Sequence, residues 1–418
     1  MFKQLETIES FVTPSNMKVT VLYKPDFKQQ SMIIGVPFGG IHSNVLNKQG
    51  HPYHSGLAHF LEHKLFESES GDIMAAFSSL GANVNAFTSY QETCYYFNTT
   101  SNFAQSCDLL LNLVSSCTLS EESVEKEKGI IVSELAMYDA MVDQALVKNM
   151  YQALYHNHPI RNDIGGDADN VNAIFKDELV DAFERFYHPS LMHCVCVTNQ
   201  SIEEVKTIIL SHPLAQNPSL PPQVVSLPIE EPNEVALLNV SKTMDIEESK
   251  GIYALKLNAH SNNPMENMKM QFVIRFILEA SLSEMNPQYQ EWIDEGLIND
   301  FFDMDVDVST TYSYVAFICE HEHLDHVFAW LDRALPSLEC DEVSLNQLKR
   351  RYLGMSLKAL NKPSSLSKQM IRYALNDLDF FDVLHLFQDM SLDDIQQAKM
   401  SLLSSLKNVS KVKIEPIE

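Results

Sequence analysis

Apolar and polar positions alternate early in the chain. Residues 17–23 (MKVTVLY) and 31–38 (SMIIGVPF) follow this pattern, and both predict strands. Gly39-Gly40 and the polar run to Gly50 predict a loop. From Ser55 the interval lengthens: Leu57, Phe60, Leu61 and Leu65 recur at helical spacing. Residues 71–80 predict a second helix, ended by Gly81. NVNAFTSY and TCYYFNTT predict a two-stranded hairpin. Three longer helices are expected over 103–116, 120–138 and 142–154. Ser120 is a candidate N-cap, with Glu121 and Glu122 placed to suit the helix dipole. A loop rich in His, Asn, Asp and Gly follows over 156–169, then a helix, the strand LMHCVCVT and another helix.

The pattern breaks between Pro213 and Pro232, where six prolines fall in a short stretch. Proline removes a backbone donor and fixes one dihedral, so neither a helix nor a central strand is expected there. This predicts a linker over 213–233 between domains at 1–212 and 234–418. The second half repeats the order of elements: strands near 235–240 and 252–257, a helix over 265–282, strands around Phe301 and over 312–319, then mostly helices. The expected fold class is α+β, with two similar domains, each an antiparallel sheet packed with helices.

The chain has 418 residues, with 56 acidic and 30 basic side chains and a formal charge of −26. Such a surface speaks against nucleic acid and against anionic membranes as partners. It serves solubility first, although acidic walls around a site would favour basic peptides. No charged start followed by an apolar run opens the chain, and no long uncharged apolar stretch occurs, so neither a secretory signal nor a membrane span is expected. The seven cysteines form no C-x-x-C pair and fit reduced thiols in a cytoplasmic protein.

The candidate chemistry centres on His59-Phe60-Leu61-Glu62-His63. Helical positions four apart lie on one face, so two imidazoles can reach one ion, with Glu62 beside them. Catalytic zinc takes three protein ligands and leaves a position for water. The order H-x-x-E-H is the inverzincin signature, although a bare match of this length also arises on helices with two solvated histidines. A third ligand is available on the helical stretch SVEKEKGIIVSELAMYDA. Glu127 and Glu134 lie roughly two turns apart on one face, and the residues alone do not choose between them.

GLAHFLEHKLFE, GANVNAFTSYQETCYYF and EKEKGIIVSELAMYDA together resemble the zinc subunit of the pitrilysin/insulinase peptidases, in the class of the mitochondrial processing peptidase. The resemblance covers most of the first half. It extends more weakly through YHNHPIRNDIGG and RFYHPSLMHCV, and later through QEWIDEGLIN. It implies one zinc ion per chain held by His59, His63 and Glu134, with Glu62 as general base and Glu127 as a supporting acid beside the metal. It also implies that Asn85 and Ala86 line an edge strand to which an extended peptide adds. The implied assembly is a clamshell of two such chains around a chamber, and the implied activity is endopeptidase cleavage of peptides or small unfolded proteins.

One departure stands out. Active members carry an arginine and a tyrosine near a Gly-Leu pair in the second half. Here Trp292 and Asn299 occupy those positions around Gly296-Leu297, and neither side chain can replace them. Arg350, Arg351 and Tyr352 lie on another helix, read as structural. A related subunit in a homo- or heterodimer is therefore expected to supply the missing pair. Two rival readings are a non-catalytic scaffold subunit and a module whose zinc is structural. The second conflicts with the absence of a cysteine near His59, because structural zinc is usually closed by four ligands including cysteine.

Overall fold

The computed structural model describes residues 7–68, 71–258 and 261–417. The first six residues of the N-terminal stretch read for a signal lie outside them. The chain forms two compact α+β units.

The first unit is built on a six-stranded sheet. In spatial order its strands are Thr7–Val12, Lys18–Tyr23, His193–Thr198, Gln30–Val36, Thr93–Thr99 and Ala82–Thr88. Lys18–Tyr23 and His193–Thr198 run parallel, and the other neighbours run antiparallel. Ala82–Thr88 is an edge of the sheet. Strand alternation sorts the side chains into two sets. Met32, Ile34, Val84, Tyr95 and Phe97 enter a core with Phe60 and Leu61 of the helix Leu57–Phe66. The opposite face, with Ser31, Gly35 and Cys94, receives the helix Pro363–Leu375. Gly35 permits the close approach: a Cβ there would stand 2.8 Å from the Leu375 side chain. A buried contact between Ser31 Oγ and Ser367 Oγ at 2.9 Å adds a polar tie.

The second unit carries a five-stranded sheet in the order Asp303–Val308, Ser313–Glu320, Lys250–Lys256, Val409–Pro416 and Asn239–Met244, the last pair parallel. The helix Val142–Leu154 packs on its strands Val409–Pro416 and Lys250–Lys256. Tyr155 donates its hydroxyl to the Ser313 carbonyl at 3.1 Å.

The units do not follow the expected cut. The first comprises residues 1–136, 162–228 and 356–381, and the second comprises 137–161, 229–355 and 382–418. Each therefore holds a helix from the other half of the sequence. The amphipathic pattern of a helix records that one face is buried, not which sheet buries it. The proline-rich segment is also more ordered than expected. Pro213–Gln216 is a short helix with Pro213 at its first position, where the missing N–H costs nothing. Further on, Leu46 N–H donates to the Val225 carbonyl at 2.8 Å and Leu227 N–H to the Asn44 carbonyl at 2.9 Å. Two strands, Thr7–Val12 and Val409–Pro416, were absent from the sequence-based expectation. No helix among the described residues is long and apolar enough to cross a membrane. All seven cysteines are unpaired thiols.

Candidate metal centre

The helix Leu57–Phe66 begins at Gly56, whose φ of 88° is left-handed backbone that favours glycine. A Cβ on Gly56 would stand 2.3 Å from the Gly165 carbonyl oxygen, and one on Gly166 would stand 2.5 Å from the Ser55 carbonyl oxygen. The Gly165-Gly166 turn thus seats directly on the start of this helix. Gly165 also abuts Leu135 and the His59 ring: a Cβ there would lie 2.6 Å from Leu135 Cδ2 and 3.4 Å from His59 Nδ1. The turn therefore sets the packing of the helix Glu121–Asp139 against the first helix.

That packing brings His59, His63 and Glu134 together, with one ligand atom from each within 4.8 Å of the others. Glu134 Oε2 lies 3.4 Å from His63 Nε2 and 3.9 Å from His59 Nε2. Glu127 faces the other side of His63, with Oε1 3.0 Å from Nδ1. A carboxylate only accepts, so Nδ1 donates in this contact and Nε2 is the ring nitrogen on the side of Glu134. Glu127 is in turn backed by Lys64, whose ammonium lies 4.0 Å from Oε2 on a side chain with no exposure. Lys64 also contacts Glu67 and Ser123. The two acids that the residues left undecided thus occupy different places. Two imidazoles and a carboxylate converging on one point are a donor set that suits zinc. His59 Nδ1 is buried without a hydrogen-bond partner, so packing rather than a hydrogen bond orients that ring.

Burial, helped by the neighbouring His63, pulls the His59 imidazole down to about 4, so the ring is neutral at neutral pH. Burial also opposes charge on His63. The Glu127 hydrogen bond and the charges of Glu134, Glu127 and Glu62 outweigh it and raise His63 above its ordinary value. The same hydrogen bond, against an opposing effect of burial, lowers the Glu127 carboxyl. Glu62 is pushed up by burial, an effect reduced by a hydrogen bond from Thr88 Oγ1 to Oε2 at 2.6 Å.

Asn85 and Ala86 lie on the edge strand Ala82–Thr88, and the Asn85 side-chain oxygen accepts the Ala86 N–H at 2.8 Å. The sequence reading missed Thr88, Lys64 and the Gly165-Gly166 turn. Strand alternation puts Thr88 on the same face as Ala86, but nothing in the sequence aims that face at Glu62. In the second unit, Trp292 packs edge-on against Trp330, with ring centroids 5.0 Å apart, and the Asn299 amide donates to the Glu320 carbonyl at 2.7 Å. Tyr352 donates to Glu279, and Arg351 pairs with Glu279 at 3.3 Å. These side chains all have internal partners.

Residues 48–168 match the family model described as insulinase, peptidase family M16. The chain is 30% identical over 408 residues to the zinc protease YmfH of Bacillus subtilis, covering 94% of each protein. Over 206 residues it is 24% identical to a mitochondrial-processing peptidase subunit beta of Schizosaccharomyces pombe, covering 48% of this chain and 44% of that one. Among solved structures it is similar to an M16-like peptidase from Alicyclobacillus acidocaldarius, with a TM-score of 0.91, 26% identity and 99% of both chains covered.

Proposed function

The chain belongs to the insulinase family of peptidases, family M16, and from that membership we propose that it is a zinc metallo-endopeptidase acting on extended peptides. The observation that carries this reading is the convergence of His59, His63 and Glu134 beside a buried Glu62. The name of the YmfH relative, a zinc protease, supports the choice of metal.

In this reading His59, His63 and Glu134 hold one zinc ion. When bound there, zinc supplies a Lewis acid that lowers the pKa of water to roughly 7 and polarises a carbonyl. Glu62 is the general base. It takes a proton from the attacking water as the C–O bond forms, then passes it to the nitrogen of the leaving amine, so the C–N bond breaks as the tetrahedral carbon collapses. Thr88 holds the Glu62 carboxylate through Oε2 and leaves Oε1 for the proton. Glu127 fixes the orientation of His63. The free edge of the strand Ala82–Thr88 offers main-chain groups to a substrate, and Asn85 and Ala86 line that edge. Pairing there requires the Asn85 side chain to release the Ala86 N–H.

Trp292 and Asn299 are engaged in internal contacts, which supports a role for a related partner chain in supplying an arginine and a tyrosine to the substrate. A homodimer would repeat the same substitutions, so a heterodimer fits better. Unpaired thiols support a reducing compartment such as the cytosol.

The test is cleavage of a quenched, mixed-sequence peptide library by wild type and by Glu62→Gln, with zinc counted in both. Zinc in both and cleavage by wild type alone is the expected result. Zinc in both with cleavage by neither would direct attention to the partner subunit. No zinc in either would overturn the reading in favour of a non-catalytic scaffold.

A further inference from the structure

The edge strand Ala82–Thr88 has two faces with different chemistry. Thr88 reaches Glu62 on one face. Phe87, one residue earlier, points to the other, where it shares the face of Cys94 and Tyr96 through their cross-strand pairing. The helix Pro363–Leu375 covers that face and brings two cations to it. Lys368 Nζ lies 4.0 Å from the Tyr96 ring centroid and 6.0 Å from that of Phe87. The Arg372 guanidinium lies 5.7 Å from the Phe87 ring, and its Nε is 3.5 Å from Glu92 Oε1.

The charges in this group do not cancel. Glu92 is buried and balances Arg372. Lys368 has no carboxylate partner among the described residues, only the two aromatic faces. In a chain with 56 acidic side chains this is notable, because most of the lysines that meet a partner meet an acid. An uncompensated ammonium over aromatic rings, half-buried and beside a free strand edge, can accept a carboxylate from outside.

We propose that Lys368, with Arg372 and Phe87, forms a subsite that selects an acidic side chain in an extended peptide paired with the edge strand, within about two residues of the scissile bond. The inference rests on the reading of the chain as a peptidase that takes its substrate along this strand. A peptide strand added there alternates its side chains between the same two faces. One set meets the Thr88 and Glu62 side, and the other meets Phe87 and Lys368. The subsite therefore reads every second residue, and it runs against the preference for basic peptides that the overall charge suggests.

The test separates binding from turnover. Peptides capped at both ends, matched except for Asp, Ala or Lys at successive positions, are titrated at low salt against the full-length Glu62→Gln protein by fluorescence anisotropy. Wild type is assayed for cleavage of the same set. The expected result is threefold to fivefold tighter binding of Asp over Ala peptides at alternate positions, the range of an exposed ion pair. Lys368→Gln should abolish that difference, Lys368→Arg should keep it, and Lys368→Glu should shift it toward Lys peptides. Melting temperature and zinc content check that each variant is folded. Equal binding of the three peptides, no binding, or a preference that survives Lys368→Gln would overturn the subsite. Failure of wild type to cleave any peptide, with the Asp preference in binding intact, would leave the subsite standing; it would point to the missing partner subunit if zinc is bound and count against the peptidase reading if it is not.

Discussion

Thr88 donates its hydroxyl to Glu62 Oε2 at 2.6 Å, joining the last residue of an edge strand to the acid between the two site histidines. Glu62 has few other neighbours able to fix its carboxylate, so one hydroxyl decides where the second oxygen points.

Thr88→Val keeps the shape of the side chain and removes the donor. A hydrogen bond to a charged group contributes about 1.5–3 kcal/mol, so kcat should fall by roughly tenfold to a hundredfold. KM and zinc content should stay nearly constant, and Thr88→Ser should restore most of the rate. Steady-state kinetics with metal analysis on the three proteins checks this. A fall confined to KM would mean that Thr88 acts on substrate instead.

Glu127→Ala removes the partner of His63 Nδ1 and leaves Lys64 buried beside an uncharged residue. Loss of a carboxylate behind a ligating histidine typically weakens metal binding by about 10–100-fold. Competition with a chromophoric chelator should show that weakening, and Glu127→Gln should lie between the two. Unchanged zinc affinity would show that His63 is oriented by packing alone.

Gly56→Ala places a methyl group against the Gly165 carbonyl in a left-handed backbone position. Strain and overlap together should cost more than about 2 kcal/mol. The melting temperature should drop by several degrees, with less zinc retained, because the same contact seats the histidine helix. A stable, zinc-replete variant would mean that the turn yields easily.

His42 is a half-buried imidazole that accepts the Gly39 N–H at Nδ1. Burial, only partly offset by a backbone hydrogen bond, brings it down to about 4 from 6.5. The folded state then binds fewer protons than the unfolded state below pH 6.5. Its stability is complete above that pH and is lost as the pH falls toward 4. Between pH 7 and pH 5 this amounts to roughly 2 kcal/mol. Urea denaturation of wild type and His42→Gln at both pH values should show a smaller acid loss in the variant. Equal slopes in the two proteins would assign the acid sensitivity to other groups, such as His193, which burial also brings down to about 4.

The sequence displayed the histidine helix because its signal is local: His59, Glu62 and His63 sit within one turn of each other. It left Glu127 and Glu134 open because both lie on one face of one helix, and only the angle of packing separates them. The Gly165-Gly166 turn sets that angle from a distant segment. Thr88 was hidden for a related reason, since alternation assigns it a face but not a neighbour. The strands Thr7–Val12 and Val409–Pro416 escaped notice because their alternation is broken: Glu9-Ser10 and Ser410-Lys411 each set two polar residues side by side. The division at the prolines was plausible on composition, yet composition says nothing of which sheet takes the helices 142–154 and 363–375.

Those two crossing helices make the halves of the polypeptide mutually dependent during synthesis. A fragment released at Pro228 would carry a complete six-stranded sheet whose Ile33, Cys94 and Val195 side lacks its cover. It would wait on a helix not yet translated, with an apolar surface open to aggregation. Separate expression of the two halves should therefore give insoluble products, and coexpression should rescue them only if the pieces can exchange those helices.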